Sequence, residues 1–233
     1  MDIRSLNKSD VPSRKAPVLW TDTALSSFYS WGGYTGDTLN SSTSDFWKFN
    51  PDGKGGGSWV NRTTINIEDL AQLQVNALGG ATNSNDTAFY LGGWADGYEP
   101  NPPNFNAGGG GSPFTYKGTI TSGLISYNRS TDKWAREPAR ELVSDGVFAF
   151  GRAEFVPSFG PSGILLALGG QDTKEPGDTF AAQKGDMRDL DTLKMYDIAG
   201  KRWLSQKTTG DVPPSRSLFC SVGVQGPNKT FEM

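Results

Sequence analysis

The sequence predicts an all-β fold assembled from repeated four-stranded antiparallel sheets, and three observations carry that reading. First, glycine occurs 30 times and proline 14 times in 233 residues, while hydrophobic residues make up 35% of the chain. Glycine is costly inside helices and strands and proline interrupts both. The apolar residues must therefore be distributed over short strands joined by many turns. Second, a Gly-Gly doublet closes a short apolar run three times, at Gly32-Gly33, Gly92-Gly93 and Gly169-Gly170. Third, a polar stretch of variable length leads from each doublet to another apolar run that ends in an aromatic, and then to a tryptophan. These pairs are Phe49 and Trp59, Tyr127 and Trp134, and Tyr196 and Trp203. Such a period marks a repeat architecture.

Residues 1–16 form a lead-in and 17–66 the first unit. Its strands are predicted in Pro17-Val18-Leu19-Trp20, in Ser27-Phe28-Tyr29-Ser30-Trp31 before the doublet, in Asp45-Phe46-Trp47-Lys48-Phe49-Asn50, and around Trp59. The second unit, 67–140, offers Leu73-Gln74-Val75-Asn76-Ala77-Leu78, Ala88-Phe89-Tyr90-Leu91, Gly123-Leu124-Ile125-Ser126-Tyr127-Asn128 and the stretch around Trp134. The third, 147–209, offers Arg152-Ala153-Glu154-Phe155-Val156, Leu165-Leu166-Ala167-Leu168, Thr192-Leu193-Lys194-Met195-Tyr196-Asp197 and the stretch around Trp203. Aligned on Phe49, Tyr127 and Tyr196, the residue three before is always apolar (Phe46, Leu124, Leu193) and the next is Asn or Asp. The spacing from aromatic to tryptophan is seven residues in the second and third units, across polar hairpin turns. In the first it is ten, the excess being Gly55-Gly56-Gly57. A fourth unit starts over 214–233, with a first strand in Ser217-Leu218-Phe219-Cys220-Ser221-Val222 and the opening of a second in Thr230-Phe231-Glu232-Met233.

Four strands per unit are one blade of a β-propeller. The doublet followed by a tyrosine and a tryptophan at hairpin spacing resembles the kelch repeat of the galactose-oxidase-like propellers, over about 17–233. Pro17-Val18-Leu19-Trp20-Thr21-Asp22 ahead of the first doublet strand, and Val212-Pro213-Pro214-Ser215-Arg216 ahead of the fourth unit, are similar to fungal cell-surface kelch proteins of unassigned function. The resemblance implies a six- or seven-bladed ring, often with a signal peptide upstream and a membrane or wall attachment downstream. This sequence holds about three and a half blades of such a ring. Because blades bury both faces against neighbours, an open arc is expected to need further blades or self-association.

Composition narrows the chemistry. The formal charge is −3, from 22 Lys+Arg and 25 Asp+Glu, so no global basic field draws nucleic acid. The absence of histidine removes the commonest general base and metal ligand. The single cysteine, Cys220, cannot form an internal disulfide, and its apolar neighbours predict a buried thiol. No apolar run approaches the ~20 residues of a membrane span, and the first residues lack a signal-peptide pattern. Those two facts favour the cytoplasm. Six Asn-x-Ser/Thr sequons, at Asn7, Asn40, Asn61, Asn85, Asn128 and Asn228, favour instead a secreted or surface-anchored glycoprotein.

Successive antiparallel strands reverse direction, so the connections from second to third strand and from fourth strand to the next unit emerge at one end of the blades. The segment from Trp94 to Ile120 is the longest of these and carries Trp94, Tyr98, Phe105, Phe114 and Tyr116, a candidate binding surface for a glycan or a peptide. The acids Asp172, Glu175, Asp178, Asp186, Asp189 and Asp191 match no calcium-loop spacing and alternate with bases. No pair of them is selected for glycoside hydrolysis. Gly53-Lys54-Gly55-Gly56-Gly57-Ser58 and Gly108-Gly109-Gly110-Gly111-Ser112 lack the order of a phosphate loop and read as expanded turns. The expected function is non-enzymatic recognition of a protein or cell-wall glycan, with no cofactor and no metal. The rival is a fragment of a copper-radical carbohydrate oxidase of the galactose-oxidase type, whose implied site needs histidine ligands that this chain does not have.

Overall fold

The computed structural model describes residues 14, 17–33, 45–63, 76–95, 98–100, 114–116, 119–120, 123–139, 142, 147–173 and 186–233. Three four-stranded antiparallel sheets dominate, each with its strands in chain order. Blade one comprises Val18–Asp22, Ser27–Trp31, Phe46–Pro51 and Gly57–Asn61. Blade two comprises Gly80–Asn83, Thr87–Leu91, Leu124–Asn128 and Lys133–Glu137. Blade three comprises Arg152–Val156, Ile164–Leu168, Thr192–Asp197 and Arg202–Lys207. The fold is all-β, and among the described residues the only helical turn is the 3₁₀ segment Pro227–Lys229.

Each blade is apolar on both faces, so neighbouring blades share a core. Val18, Trp20, Tyr29, Trp31 and Phe46 of blade one meet Ala88, Tyr90, Ile125, Tyr127 and Trp134 of blade two. Trp20 and Trp31 stack with ring centroids 5.5 Å apart, and Trp134 lies 5.1 Å from both Trp31 and Phe46. The opposite face of blade two, through Phe89, Leu91 and Leu124, meets Phe148, Leu165 and Tyr196 on the blade-three side, with Trp203 beside them. The aromatic pair of each unit is a cross-strand pair, Tyr127 opposite Trp134 and Tyr196 opposite Trp203. At both junctions it faces the preceding blade. Burying each such side chain contributes about 1.5–3 kcal/mol, so these junctions hold the arc together.

Three expectations from sequence are corrected. The first strand of blade two is Gly80–Asn83, whereas Asn76–Ala77, placed in that strand by its apolar run, pairs with Trp94–Ala95 in a separate sheet. The reason is close approach: a Cβ on Gly80 would lie 2.8 Å from the Ala153 backbone nitrogen, so only glycine lets the strand lie against blade three. Residues 217–222 form no strand; pairing begins with Val224–Gln225 against Phe231–Glu232. The segment runs along blade three, where Arg152 Nε donates to the Phe219 carbonyl and Ser221 Oγ to Glu154. Ser217, Phe219, Ser221 and Gly223 face that blade, while the alternate residues point outward. Cys220 belongs to the outward set, so its thiol is exposed and not buried.

Candidate functional site

The Gly-Gly doublets end the second strand of each blade with two successive left-handed residues: φ is 64° and 86° at Gly92 and Gly93, and 53° and 82° at Gly169 and Gly170. They also seat the chain that leads into the next blade. Gly93 N–H donates to the Phe148 carbonyl at 2.8 Å, and Gly170 N–H to the Arg216 carbonyl at 2.9 Å. Those lead-ins are linked in turn, Phe150 N–H to the Leu78 carbonyl and Leu218 N–H to the Phe150 carbonyl. Leu78, Phe150 and Leu218 all have positive φ, at 64°, 59° and 53°. Sequence reading found the doublets but not the three lead-in residues, two leucines and a phenylalanine.

Beyond the doublets the chain builds a second tier at one end of the blades. Asn76–Ala77, Trp94–Ala95 and Thr119–Ile120 form one three-stranded sheet, and Val147–Ala149, Gln171–Thr173 and Asp186–Met187 form another. Each joins a connection between second and third strands to a connection between blades, which places both kinds of connection at the same end. Between the second and third strands of the first of these sheets, a separate two-stranded ladder, Tyr98–Pro100 with Phe114–Tyr116, sets Tyr98 opposite Tyr116 and Phe114 opposite Pro100. Four of the five aromatics proposed from sequence are thus on strands of this end, Trp94 pairing with both Ala77 and Ile120. Phe105 lies outside the described residues, as does the string 108–111.

Arg188 organises the second of these sheets, Val147–Ala149 with Gln171–Thr173 and Asp186–Met187. Its N–H donates to the Gly170 carbonyl at 3.0 Å, its guanidinium lies 3.4 Å from Asp172 Oδ1, and it sits 5.5 Å over the Phe148 ring. Burial lowers its pKa against the raising effect of Asp172. Asp189 accepts from Ser215 Oγ at 2.6 Å. Glu175 and Asp178 lie outside the described residues. Among those described, no three acids gather as a cation cradle would require. The Gly53–Gly57 string is a turn held by Asp52, whose Oδ1 accepts from Lys54 N–H at 2.7 Å and Gly56 N–H at 2.9 Å. These bonds hold its pKa below the ordinary value.

Polar bridges across the blade junctions escaped the sequence reading. Arg62 Nη2 donates to Asp132 at 2.6 Å, and the Tyr127 hydroxyl donates to the same carboxylate. At the next junction Lys201 Nζ donates to Glu137 at 2.8 Å, joined by the Tyr196 hydroxyl. Arg62 and Glu137 each stand three residues after their tryptophan, and Asp132 and Lys201 two before theirs. The two junctions use the same positions with the charges exchanged. Desolvation raises the Glu137 pKa, but the hydrogen bonds from Lys201 and Tyr196 and the Lys201 charge outweigh it and leave the group below its ordinary value. Burial and the acid partners raise both tyrosines.

Of the sequons, Asn61, Asn85 and Asn228 are exposed. Asn128 is half-buried, and its Oδ1 accepts from Ser130 N–H, Thr131 N–H and Thr131 Oγ1. Asn7 and Asn40 lie outside the described residues. No helix among the described residues is long and apolar enough to cross a membrane.

No protein-family model and no curated protein sequence matches the chain. Among solved structures it is similar to that of YjhT, with a TM-score of 0.51 and 13% identity over 88% of this chain. The match covers 54% of the YjhT chain, so this chain spans about half that length. The similarity is one of fold: an all-β protein of blade-like four-stranded sheets.

Proposed function

We propose that the chain is a recognition scaffold of the kelch type, not an enzyme, and that it binds a protein or a cell-wall glycan through the second tier. One observation carries the proposal: the connections of blades two and three build added sheets at the same end, on a base fixed by the doublets and by Arg188. Rigid sheets that present variable connections at one end are the common form of a binding surface. The lack of histidine supports a binding role over acid–base or copper chemistry. Surface display or secretion remains part of the proposal and is supported by the exposed sequons Asn61, Asn85 and Asn228.

The test replaces residues 96–118 by a short turn, which leaves the Trp94–Ala95 and Thr119–Ile120 pairing in place. A glycan array and a displayed peptide library are then probed with both chains. Loss of at least ~10-fold in affinity for ligands of the intact chain is expected, with an unchanged melting temperature. Equal binding by the two chains would overturn the proposal.

A further inference from the structure

The fourth strand of each blade ends its sheet, so one edge of that strand has no partner within the blade. In blade one the strand is Gly57-Ser58-Trp59-Val60-Asn61. Arg62 N–H donates to the Phe46 carbonyl at 2.8 Å, and Asp52 N–H to the Gly56 carbonyl at 2.9 Å. With Lys48 opposite Val60 and Asn50 opposite Ser58, the alternation of an antiparallel ladder turns the backbone groups of Gly57, Trp59 and Asn61 away from the sheet. No strand pairs with them among the described residues. Such an edge is a template for unwanted pairing unless charge, proline or a covering group blocks it. Blade two places Lys133, Arg136 and Glu137 on this strand, and blade three Arg202 and Lys207. Blade one has no charged residue there, every residue of the strand but Trp59 is exposed, and Val60 is 41% exposed. It carries instead Asn61, the first residue of the sequon Asn61-Arg62-Thr63, at the position that Arg136 holds in blade two, two residues after the tryptophan.

We propose that Asn61 is an N-glycosylation site and that its glycan guards this edge. The transfer joins Nδ2 to C1 of the first sugar of an oligosaccharide carried on a lipid pyrophosphate. The C1–O bond to the pyrophosphate breaks, Nδ2 gives up one proton, and the lipid pyrophosphate leaves. The fold accommodates the product: Asn61 is exposed, its Oδ1 accepts from Thr63 N–H at 2.8 Å, and its Nδ2 makes no hydrogen bond among the described residues. A pairing strand must come to about 4.8 Å along the whole edge, and a hydrated oligosaccharide rooted at Asn61 obstructs that approach. The inference rests on the secreted or surface-displayed reading above, because that route brings the chain to the transfer. It does not depend on what the second tier binds.

The full chain is sent through the secretory route of a yeast host behind a supplied leader, as wild type, Asn61→Gln and Asn61→Arg. Peptide mass spectrometry is expected to find sugar on Asn61 of the wild type. The three chains are expected to share one circular dichroism spectrum and melting temperature, because the side chain is exposed. In sedimentation, Asn61→Gln is expected to hold at least ~5-fold more of its mass above the monomer than the wild type does. Asn61→Arg, which also lacks the sugar but copies the charge of blade two, is expected to stay near the wild type. An Asn61 without sugar, an Asn61→Gln chain as monomeric as the wild type, or an Asn61→Arg chain that associates as much as Asn61→Gln would each overturn the inference. Because the leader is supplied, these results leave the secreted reading standing; that reading falls instead if the chain in its own cell carries no sugar on any sequon.

Discussion

At Gly92 the backbone has φ +64°, and a Cβ built there would lie 2.0 Å from the Phe148 carbonyl oxygen. Gly53 has a similar φ, +71°, but no atom within 4 Å of its Cβ position. The pair separates conformational cost from steric cost. Gly53→Ala is expected to lose about 1 kcal/mol in urea denaturation, the penalty of a left-handed residue. Gly92→Ala should lose about 3 kcal/mol or more, because the lead-in to blade three must also shift. Equal losses would remove the seating role of the doublet. Glu137 gives a second test at this scale. Its carboxylate is held below its ordinary pKa in the folded chain, so its contribution is present above the unfolded value, about 4.3, and is lost as pH falls through the folded value. Glu137→Gln should therefore flatten the fall in stability on acidification below about pH 5. An unchanged acid limb would show that the bridge to Lys201 and Tyr196 carries no net weight.

Between blades, the exchanged charges give each junction its own polarity. Arg62 and Asp132 are 25% and 31% exposed, so screening keeps the pair itself to about 1 kcal/mol or less. Its effect lies in discrimination: blade three placed on blade one would set Lys201 against Arg62, a like-charge contact. Arg62→Glu should cost about 1–2 kcal/mol, through like charge against Asp132 and the lost donor. Adding Asp132→Lys recreates the Glu137–Lys201 arrangement and should recover most of that loss in a double-mutant cycle. Failure of the second change to compensate would mean that the position and not the charge matters. Trp134, in contact with Trp20, Trp31, Phe46 and Tyr127, is the packing counterpart. Its replacement by alanine should cost about 3–5 kcal/mol, since four rings cannot collapse into the space.

Across the whole molecule, stability is distributed over neighbour junctions, as in repeat proteins generally. The last of these is partial: Phe219 and Phe231 pack against the cluster of Val156, Leu166 and Leu168 on blade three. Removal of residues 217–233 should uncover that patch, raise the binding of a hydrophobic dye and lower the melting temperature by several degrees. A truncated chain as stable as the full one would show that the hairpin only rests on blade three.

The repeat was legible in the amino-acid sequence because its signals are local. The glycine doublets mark where strand two must turn through positive φ, and the aromatic and tryptophan at hairpin spacing are cross-strand neighbours. These features determined the all-β class, the unit of four strands, and the end of each blade at which the long connections leave. The start of blade two was not legible, because Gly80 is dictated by the backbone of blade three, some seventy residues away in the chain. Cys220 was misplaced for a related reason: local apolar character cannot say which side of an extended segment has a neighbour. The bridges Arg62–Asp132 and Glu137–Lys201 were hidden because equivalent positions carry opposite charges, so no residue type repeats. Sequence by itself determined the unit and its folding pattern. Only the tertiary structure decided which faces meet, because the energy of each junction comes from residues on two units whose separation along the chain carries no local signal.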